Sequence, residues 1–347
     1  MRKRFFCSFL FNTNGKKKQF LLYFLAVFIL VAWYNTTQRD DLVLPSRWSE
    51  FSLLLPKLEP EISNQNNRNF YLIAVVNSGA TGEKHRRLRQ AIRQTWGHSK
   101  SAAPRHKKWK LFFALGISEN PEDHKLNLQE ASRWNDILIG DFNDRYINVI
   151  TKTYMSHYWV STRFSCKYIL KADDDVFVRV PELINWLQKV GSPQPFYGGF
   201  IRPRTRVSRG SSSKWFITRE QYSKDYWPPF CLGAFHVLSS DVIPKMINYT
   251  TLMRPVHTDD AYLAVALKHY GIEPVQIPGF MMVTDRNVFT NLFRKLFSKR
   301  PDCELVNSVA IGHKVDPSAM FEYHTFSTKS KAICSAELRL RDRYFHL

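Results

Sequence analysis

Three consecutive aspartates, Asp173 to Asp175, are the residues whose types and spacing most clearly permit chemistry in this chain. They follow the mainly apolar residues 168–172 and precede the apolar residues 176–178, a pattern typical of a buried strand. Adjacent carboxylates repel one another, and a divalent cation removes that cost. On a strand, Asp173 and Asp175 point to one face and Asp174 to the other. The spacing therefore predicts a Mg²⁺ or Mn²⁺ site on Asp173 and Asp175, with a solvated acidic turn as the alternative.

A second acidic pair, Asp259 and Asp260, stands just before the apolar residues 261–267, which predict a helix. Acids at the first positions of a helix commonly cap it and interact favourably with its dipole. On the residues alone, capping is the plain interpretation of this pair.

Alternating strands and helices must position these acids. The pattern predicts strands at 70–76, 109–115 and 136–139, and a further strand that ends at the aspartates. It predicts helices at 83–96, 121–133 and 147–163 between them. Such alternation indicates an α/β domain with a mostly parallel central sheet. Ligands of such sheets bind beyond the carboxyl ends of the strands, where the three aspartates fall.

The N-terminal segment predicts a membrane anchor. Residues 19–38 carry no charge and follow three lysines at 16–18. Twenty helical residues span about 30 Å, one hydrocarbon core, and basic residues before a span stay cytosolic. No small-residue cleavage site follows, which argues against a removed signal peptide. We expect a cytosolic tail at 1–18, a signal-anchor transmembrane helix at 19–38, a stem at 39–69 and a lumenal domain at 70–347.

The composition is strongly basic, with 50 Lys and Arg, 30 Asp and Glu and a formal net charge of +20. This charge suits nucleic acid, acidic membranes or phosphorylated substrates, and the lumenal placement excludes nucleic acid. An oxidising lumen permits disulfides, and the four cysteines there allow three pairings that the sequence does not separate. They are Cys166, Cys231, Cys303 and Cys334. Glycosylation sequons begin at Asn35 and Asn248.

Several of these stretches, together with further motifs, resemble the β-1,3-glycosyltransferases of glycosyltransferase family 31. Within that family they resemble the β-1,3-galactosyltransferase branch. The resemblance covers residues 71–320, and many motifs carry it in order. They are RQAIRQTWG at 89–97, FFALG at 112–116, DIL at 136–138, DFNDRYIN at 141–148, KT at 152–153, KADDDVFV at 171–178, WPPFCLG at 227–233, DDAY at 259–262 and HKVDPSAM at 313–320.

The resemblance implies a single GT-A-like nucleotide-sugar-binding domain, with the three aspartates at its metal and donor site. Asp175 would be a direct ligand of Mn²⁺ or Mg²⁺. Asp173 would bind the metal or the ribose, and Asp174 would help to place the donor. His313 corresponds to a late histidine that completes such metal sites. The early basic and aromatic motif would also lie at the donor: Arg89, Arg93, Thr95 and Trp96. On the residues alone, the alternative is an amphipathic helix whose arginines face water.

The resemblance also gives the acidic pair a second role, because in this family the pair lies beside the acceptor. Asp260 would remove the proton from the acceptor hydroxyl, and Asp259 would cap the helix or orient its neighbour, although the order of the two roles stays open. One displacement with the base on the far face inverts the anomeric centre. Aromatic residues could form a sugar platform or pack in the core: Trp215, Tyr226 and Trp227.

The function implied is inverting, metal-dependent transfer of a hexose from a UDP-sugar to an acceptor glycan on glycoproteins or glycolipids, in β-1,3 linkage. Galactose is the expected sugar, with N-acetylglucosamine and N-acetylgalactosamine as alternatives. The expected location is the Golgi membrane, as a single-pass type II protein with its catalytic domain in the lumen. Expected partners include copies of itself or other glycosyltransferases.

One departure from the branch concerns residues 231–236, where a glycine and a tyrosine of the usual pattern are replaced by Phe235 and His236. If that glycine lets a ligand approach the backbone, Phe235 must reshape the donor or acceptor pocket. The departure motivates a hypothesis of another class, a non-catalytic relative that binds glycans or accompanies a true transferase.

Overall fold

The computed structural model describes residues 54–62, 68–98, 108–282 and 308–329. These residues fall within one compact unit, Arg47–Leu347. The strands are β1 (Pro56–Leu58), β2 (Asn69–Asn77), β3 (Trp109–Ile117), β4 (Ile137–Asn143), β5 (Ser165–Asp173), β6 (Phe177–Val178), β7 (Tyr197–Arg202), β8 (Phe230–Ser239), β9 (Val275–Gln276), β10 (Phe280–Met282) and β11 (Ala310–Gly312). The α-helices are α1 (Glu83–Gln94), α2 (Pro121–Trp134), α3 (Val149–Arg163), α4 (Val180–Lys189), α5 (Ile243–Tyr249) and α6 (Asp259–His269), and residues 317–329 are also helical.

Eight strands form the main sheet, in the order β1-β4-β3-β2-β5-β8-β7-β9. The four strands β4, β3, β2 and β5 run parallel, and β1 and β8 lie antiparallel beside them. The predicted α/β architecture with a parallel core is confirmed, and antiparallel strands on both sides of that core make the whole sheet mixed. The reason is that β7 and β8 are joined by a loop without a crossover helix, so they pair antiparallel.

Helices cover both faces of the parallel strands, which explains why β2 is apolar along its length. Residues 72–76 of β2 have no exposed surface. Leu88 and Ile92 of α1 belong to the buried core on one face. On the other face, Trp159 of α3 packs edge-on against Phe112 of β3, with ring centroids 4.9 Å apart. The sheet is thus held between two helical layers.

A second, three-stranded sheet in the order β10-β11-β6 lies beyond the aspartates. β11 pairs antiparallel with β6, with Ile311 opposite Phe177. Because β6 follows the aspartates and β11 precedes His313, this pairing brings the two segments together.

The expected stem at 39–69 is wrong from residue 54 onward. β1 pairs antiparallel with β4, and Leu54 is buried in the core. Glu59 accepts hydrogen bonds from Arg163 of α3 at 3.0 Å and from the indole of Trp159. This segment therefore belongs to the folded domain, a contribution that its prolines and polar residues conceal in the sequence.

Two further predictions concern the membrane and the cysteines. No helix in the described part of the chain is both long and apolar enough to cross a bilayer, and the predicted tail and span at 1–38 lie outside that part. Cys166 and Cys231 are free thiols, so they do not pair with each other. Cys303 and Cys334 also lie outside the described residues.

Candidate active site

The aspartates lie where the parallel strands end. β5 ends at Asp173, which pairs in register with Asn77 at the end of β2. The next two residues form a turn rather than a continuation of the strand. The predicted location at the carboxyl edge of the sheet is confirmed.

Asp174 points into the protein and is almost completely buried. Its carboxylate accepts hydrogen bonds from the Ser78 hydroxyl at 2.7 Å and from His85 Nδ1 at 2.7 Å. Burial alone would raise the pKa of Asp174, but the hydrogen bonds and charge of His85, with Ser78 and Lys152, outweigh it and lower the pKa. Asp174 therefore fixes the strand end to the loop after β2, and a donor would contact it only through that loop.

Asp173 is held by a buried lysine of its own strand. Lys171 Nζ donates to Asp173 Oδ1 at 2.6 Å, and only 2% of the lysine side chain is exposed. Although 35% of the Asp173 side chain faces solvent, the burial of its surroundings raises its pKa to about 6. Lys171 opposes this rise, and repulsion from Asp175 and Asp259 adds to it.

His313 lies beside Asp175, as the resemblance implied. The His313 Nδ1 atom is 3.8 Å from Asp175 Oδ2, and the Lys314 backbone N–H donates to the same oxygen at 3.0 Å. The Val315 N–H donates to the Asp175 carbonyl at 3.0 Å. These backbone bonds hold the segment after β11 against the turn.

The residues present suit a divalent cation. Asp173 and Asp175 supply hard oxygen donors that repel each other, and His313 supplies an imidazole nitrogen. Among the described residues, no three His, Cys, Asp or Glu side chains already converge closely enough to enclose a metal ion. Two or three protein ligands are nevertheless what Mg²⁺-type sites use, because substrate phosphate and water fill the other positions.

The second acidic pair opens α6 on the other side of the sheet edge. Asp259 is buried, and its Oδ2 accepts a hydrogen bond from Thr153 of α3 at 2.8 Å. Thr153 in turn accepts one from the Asn77 amide at 2.8 Å. Asp259 is thus fixed by a chain of hydrogen bonds that reaches the end of β2.

Asp260 is half-buried and faces β8. Its carboxylate accepts hydrogen bonds from the backbone N–H groups of Gly233 at 2.9 Å and Ala261 at 2.8 Å. Burial raises the pKa of Asp260 to about 6, and the charge of Asp259 raises it further against these N–H groups and Lys171. A carboxylate of this kind is ionised at neutral pH and is more basic than an ordinary aspartate, as a general base should be.

Lys171 connects the two acidic sites. Besides Asp173, its ammonium donates to the carbonyl oxygen of Gly233, whose N–H donates to Asp260. A Cβ at Gly233 would lie 3.2 Å from Asp260 Oδ2 and 3.4 Å from Asp259 Oδ1. The glycine therefore permits a close approach of β8 to both carboxylates.

The early motif predicted at the donor is structural instead. The Arg89 side chain has no exposed surface and forms a two-point ion pair with Glu130, at 2.9 and 2.5 Å. Arg93 pairs with Glu130 and Asp136. Arg93 lies between aromatic rings, and Thr95 and Trp96 are buried. Direct donor contact is therefore wrong for these four residues, because Arg89, Arg93 and Thr95 use their polar groups inside the domain and Trp96 is buried in the core.

Arg89 retains one indirect link to the site. Its guanidinium donates to the Ser78 hydroxyl at 3.0 Å, and Ser78 donates to Asp174. Through this hydrogen bond, Arg89 stabilises the loop after β2 that contacts Asp174.

Phe235 and His236 do not line the candidate active site, contrary to the expectation that Phe235 reshapes the donor or acceptor pocket. Both are completely buried. Phe235 packs edge-on against Phe280 of the small sheet, with ring centroids 4.5 Å apart, and a Cβ at Gly312 would lie 3.1 Å from its ring. Phe235 therefore supports the strand that precedes His313, and the departure from the family pattern acts through packing.

Of the suggested platform residues, Trp215 is exposed and lies beside Tyr146. Lys214 Nζ lies 4.7 Å from the Trp215 ring centroid and 5.0 Å from that of Tyr146. Burial and the charges of Asp259 and Asp260 raise the pKa of Tyr146, which places its phenol near both acids. Tyr226 and Trp227 lie elsewhere, in the wall of a separate cleft described below.

Sequence reasoning missed several residues that build the site. Thr153 and Tyr146 lie within the motifs at 152–153 and 141–148, but no role was assigned to them, and His85 carries no special signal. Distant elements bring all three to the acids. Lys171 carried one: a charged residue within an otherwise apolar strand must have buried partners.

The comparisons with known proteins agree with this geometry. A family model described as galactosyltransferase matches residues 87–278. Beta-1,3-galactosyltransferase 5 of Mus musculus is 31% identical over 219 residues, 63% of this chain and 69% of that protein. Beta-1,3-galactosyltransferase 1 of Mus musculus is 32% identical over 220 residues, 62% of this chain and 66% of that protein. Beta-1,3-galactosyltransferase 2 of Homo sapiens is 29% identical over 294 residues, 83% of this chain and 66% of that protein.

The alignments thus span about two thirds of the length of these relatives. The family model covers more than half of the chain and includes the aspartates, Gly233 and the acidic pair of α6. On this basis the chain is a glycosyltransferase and belongs to the galactosyltransferase family, the β-1,3-galactosyltransferases of glycosyltransferase family 31.

Proposed function

We propose that this chain transfers galactose from UDP-galactose to a hydroxyl group of an acceptor glycan, forming a β-1,3 linkage with inversion. The observation that carries the proposal is the meeting of two acidic sites at one sheet edge, joined through Lys171 and Gly233. One site suits a leaving diphosphate with its metal, and the other suits an incoming hydroxyl.

Asp173, Asp175 and His313 would hold a Mn²⁺ or Mg²⁺ ion. A bound divalent cation supplies Lewis-acid stabilisation of the charge that develops on the diphosphate. Lys171 keeps one oxygen of Asp173 in a fixed direction. The backbone N–H of Lys314 does the same for Asp175.

Asp260 acts as the general base in this proposal. The N–H groups of Gly233 and Ala261 orient its carboxylate, and its raised pKa favours proton transfer from the acceptor hydroxyl. Asp259 raises that pKa and is itself held by Thr153. Trp215 offers an exposed aromatic face for the acceptor sugar.

The site belongs, in this proposal, to a type II Golgi membrane protein that acts on glycoproteins or glycolipids and associates with itself or with other glycosyltransferases. The support is the uncharged span at 19–38 after three lysines. Asn248 is exposed, so detection of a glycosidase-sensitive glycan on it would test the lumenal placement.

A donor screen tests the activity directly. The full-length chain is incubated with Mn²⁺, each of UDP-galactose, UDP-N-acetylglucosamine and UDP-N-acetylgalactosamine, and a broad panel of acceptors. We expect UDP release with UDP-galactose and a β-1,3-linked product. Release with another donor alone would correct the sugar, and no release with any donor would favour a glycan-binding relative.

A further inference from the structure

A cleft outside the acidic sites lies between the β7–β8 loop and the C-terminal half of α6. Its volume is about 750 Å³. One group of lining residues is aromatic or proline, and it includes Tyr222, Tyr226, Trp227 and Pro228. The other group is basic: Arg204, Lys224, Lys268 and His269. The proposed mechanism uses none of these side chains.

The floor of the cleft is preformed. Tyr222 and Trp227 stack with ring centroids 4.2 Å apart and planes at 18°. The loop around them is fixed by Arg209, whose guanidinium donates to four backbone carbonyls, at 2.7 to 2.8 Å. Hydrogen bonds of 2.9 Å from Trp227 N to Thr205 O and from Val207 N to Asp225 O pair the two ends of the loop as a ribbon. A ligand would thus meet a surface that needs little ordering.

The rim of the cleft is positively charged. Arg204, Lys224 and Lys268 are exposed, and within the described residues none of them forms an ion pair with a carboxylate. Arg204 instead lies over Tyr226, 4.0 Å from the ring centroid. Asp225, the one acid among the described lining residues, pairs with Arg219 at 2.5 Å. The cleft therefore presents cations above aromatic faces.

Both walls lead from the cleft to the acceptor side of the proposed site. β8 runs from the prolines at 228–229 to Gly233, and α6 runs back from Lys268 to Asp260, about 12 Å along the helix. A glycan whose terminal hydroxyl reaches Asp260 could extend its inner residues toward the cleft.

We propose that this cleft binds an acidic saccharide, a sugar chain that carries sulfate or carboxylate groups, as the distal part of the acceptor. The exposed Tyr226 ring, beside the stacked floor, packs against sugar rings, and the basic rim contacts the acidic groups. The identity of this ligand as an acceptor rests on the proposed function, whereas the binding itself does not.

The test is calorimetric titration of the full-length chain with a heparin-derived sulfated tetrasaccharide and with neutral maltotetraose. We expect the sulfated probe to bind more tightly, with an affinity that falls as salt is added. The double variant Arg204→Ala/Lys268→Ala should bind it roughly tenfold more weakly, since two partly exposed charge contacts are lost. Tyr226→Ala should also weaken binding, because it removes an exposed lining ring without changing charge.

The matched control is Lys84→Ala/Lys125→Ala, which removes two exposed cations from α1 and α2 and should leave the affinity unchanged. Equal losses in both double variants would overturn the proposal in favour of diffuse charge attraction, as would equal affinity for the two probes. The variants Arg204→Ala/Lys268→Ala and Tyr226→Ala are also titrated with phosphatidylserine vesicles. If they bind the vesicles more weakly but bind the saccharide as tightly as the wild-type chain does, the cleft is a membrane contact and the proposal is overturned.

The same experiment separates this inference from the proposed function. UDP release is followed on the wild-type chain with UDP-galactose and a panel of neutral and acidic acceptors. If no transfer occurs while the sulfated probe binds as described, the proposed function fails and the cleft assignment stands. If transfer occurs and the probe does not bind, only the cleft assignment fails.

Discussion

Lys171 Nζ lies 2.6 Å from Asp173 Oδ1 inside the protein, and the same ammonium donates to the carbonyl of Gly233. One buried cation therefore holds a candidate metal ligand and the strand that contacts the candidate base. Burial tends to lower the pKa of Lys171, but the charges of Asp173, Asp259 and Asp260 outweigh it and raise the pKa, which keeps the ammonium charged.

Replacing this lysine should disturb both halves of the site. Lys171→Met removes the charge and leaves Asp173 and the Gly233 carbonyl without their partner. We expect a loss of stability of about 3 kcal/mol and weaker metal-dependent UDP binding in the fraction that folds. Thermal unfolding and UDP titration measure the two effects. Lys167→Met, at the other end of β5, is the control; a similar result there would show that any lysine of this strand matters equally.

Asp260 makes the activity depend on pH in a defined direction. The base must be ionised, and its pKa of about 6 places the fall in turnover below that pH. We expect turnover to rise with pH through about 6 and then level off. Asp260→Asn should lower turnover by about 10² to 10⁴-fold and remove this step. A wild-type pH profile without a step near 6, or an unchanged step in Asp260→Asn, would remove the assignment of the base.

The same raised pKa has a consequence for stability, because the folded state binds its proton more tightly than the unfolded state does. Protonated Asp260 therefore adds to the free energy of unfolding. This contribution is fully present below the ordinary pKa of 3.8 and is lost as the pH rises through about 6. Asp260→Asn should therefore unfold at a higher temperature than the wild-type chain at pH 7, while turning over more slowly. A lower unfolding temperature at pH 7 would contradict this reasoning.

The Thr153 hydroxyl holds Asp259 and also accepts a hydrogen bond from the Asn77 amide. Thr153→Val keeps the shape but leaves the buried carboxylate without the hydrogen bond of 2.8 Å. We expect a cost of about 1 to 3 kcal/mol in the free energy of unfolding, together with slower turnover. Thr153→Ser keeps the hydroxyl and should recover most of both. Equal behaviour of the two variants would mean that packing, not the hydrogen bond, fixes Asp259.

The corrected role of Arg89 is also testable. Arg89→Met removes one of the two arginines that pair with Glu130 and the buried donor to the Ser78 hydroxyl, so it should destabilise the fold by about 3 kcal/mol. The folded fraction should bind UDP with Mn²⁺ as tightly as the wild-type chain. Arg87→Met, at an exposed position on the same helix, should change neither property. A specific loss of UDP affinity at full stability would restore the original donor assignment.

The sequence predicted what local patterns determine. The apolar run of β2, the capped helix α2 with Asn120 and Pro121 at its start, and the edge position of the aspartates all follow from spacing and propensity. The family motifs located His313 and the acidic pair. What could not be predicted depends on pairing between distant segments.

Arg89 shows this limit clearly. An arginine in a basic helix looks solvent-exposed until Glu130 and Asn127 of another helix are placed against it. β1 is another case, because its pairing with β4 rests on backbone hydrogen bonds that carry no side-chain signal. Phe235 looked like a change in a ligand pocket, and only the position of Phe280 shows that it packs in the core.

The central claim is that Asp175 and its neighbours bind the donor diphosphate through a divalent cation. Titrating UDP into the full-length chain with and without Mn²⁺ tests it most directly, with Asp175→Ala compared against Asp141→Ala, an exposed aspartate paired with Lys57. We predict that Mn²⁺ strengthens UDP binding in the wild-type chain and in Asp141→Ala, and that Asp175→Ala loses this metal effect. Asp260→Asn should keep it. If Asp175→Ala binds UDP with unchanged dependence on Mn²⁺, the three aspartates are an acidic turn and the account of the site is wrong.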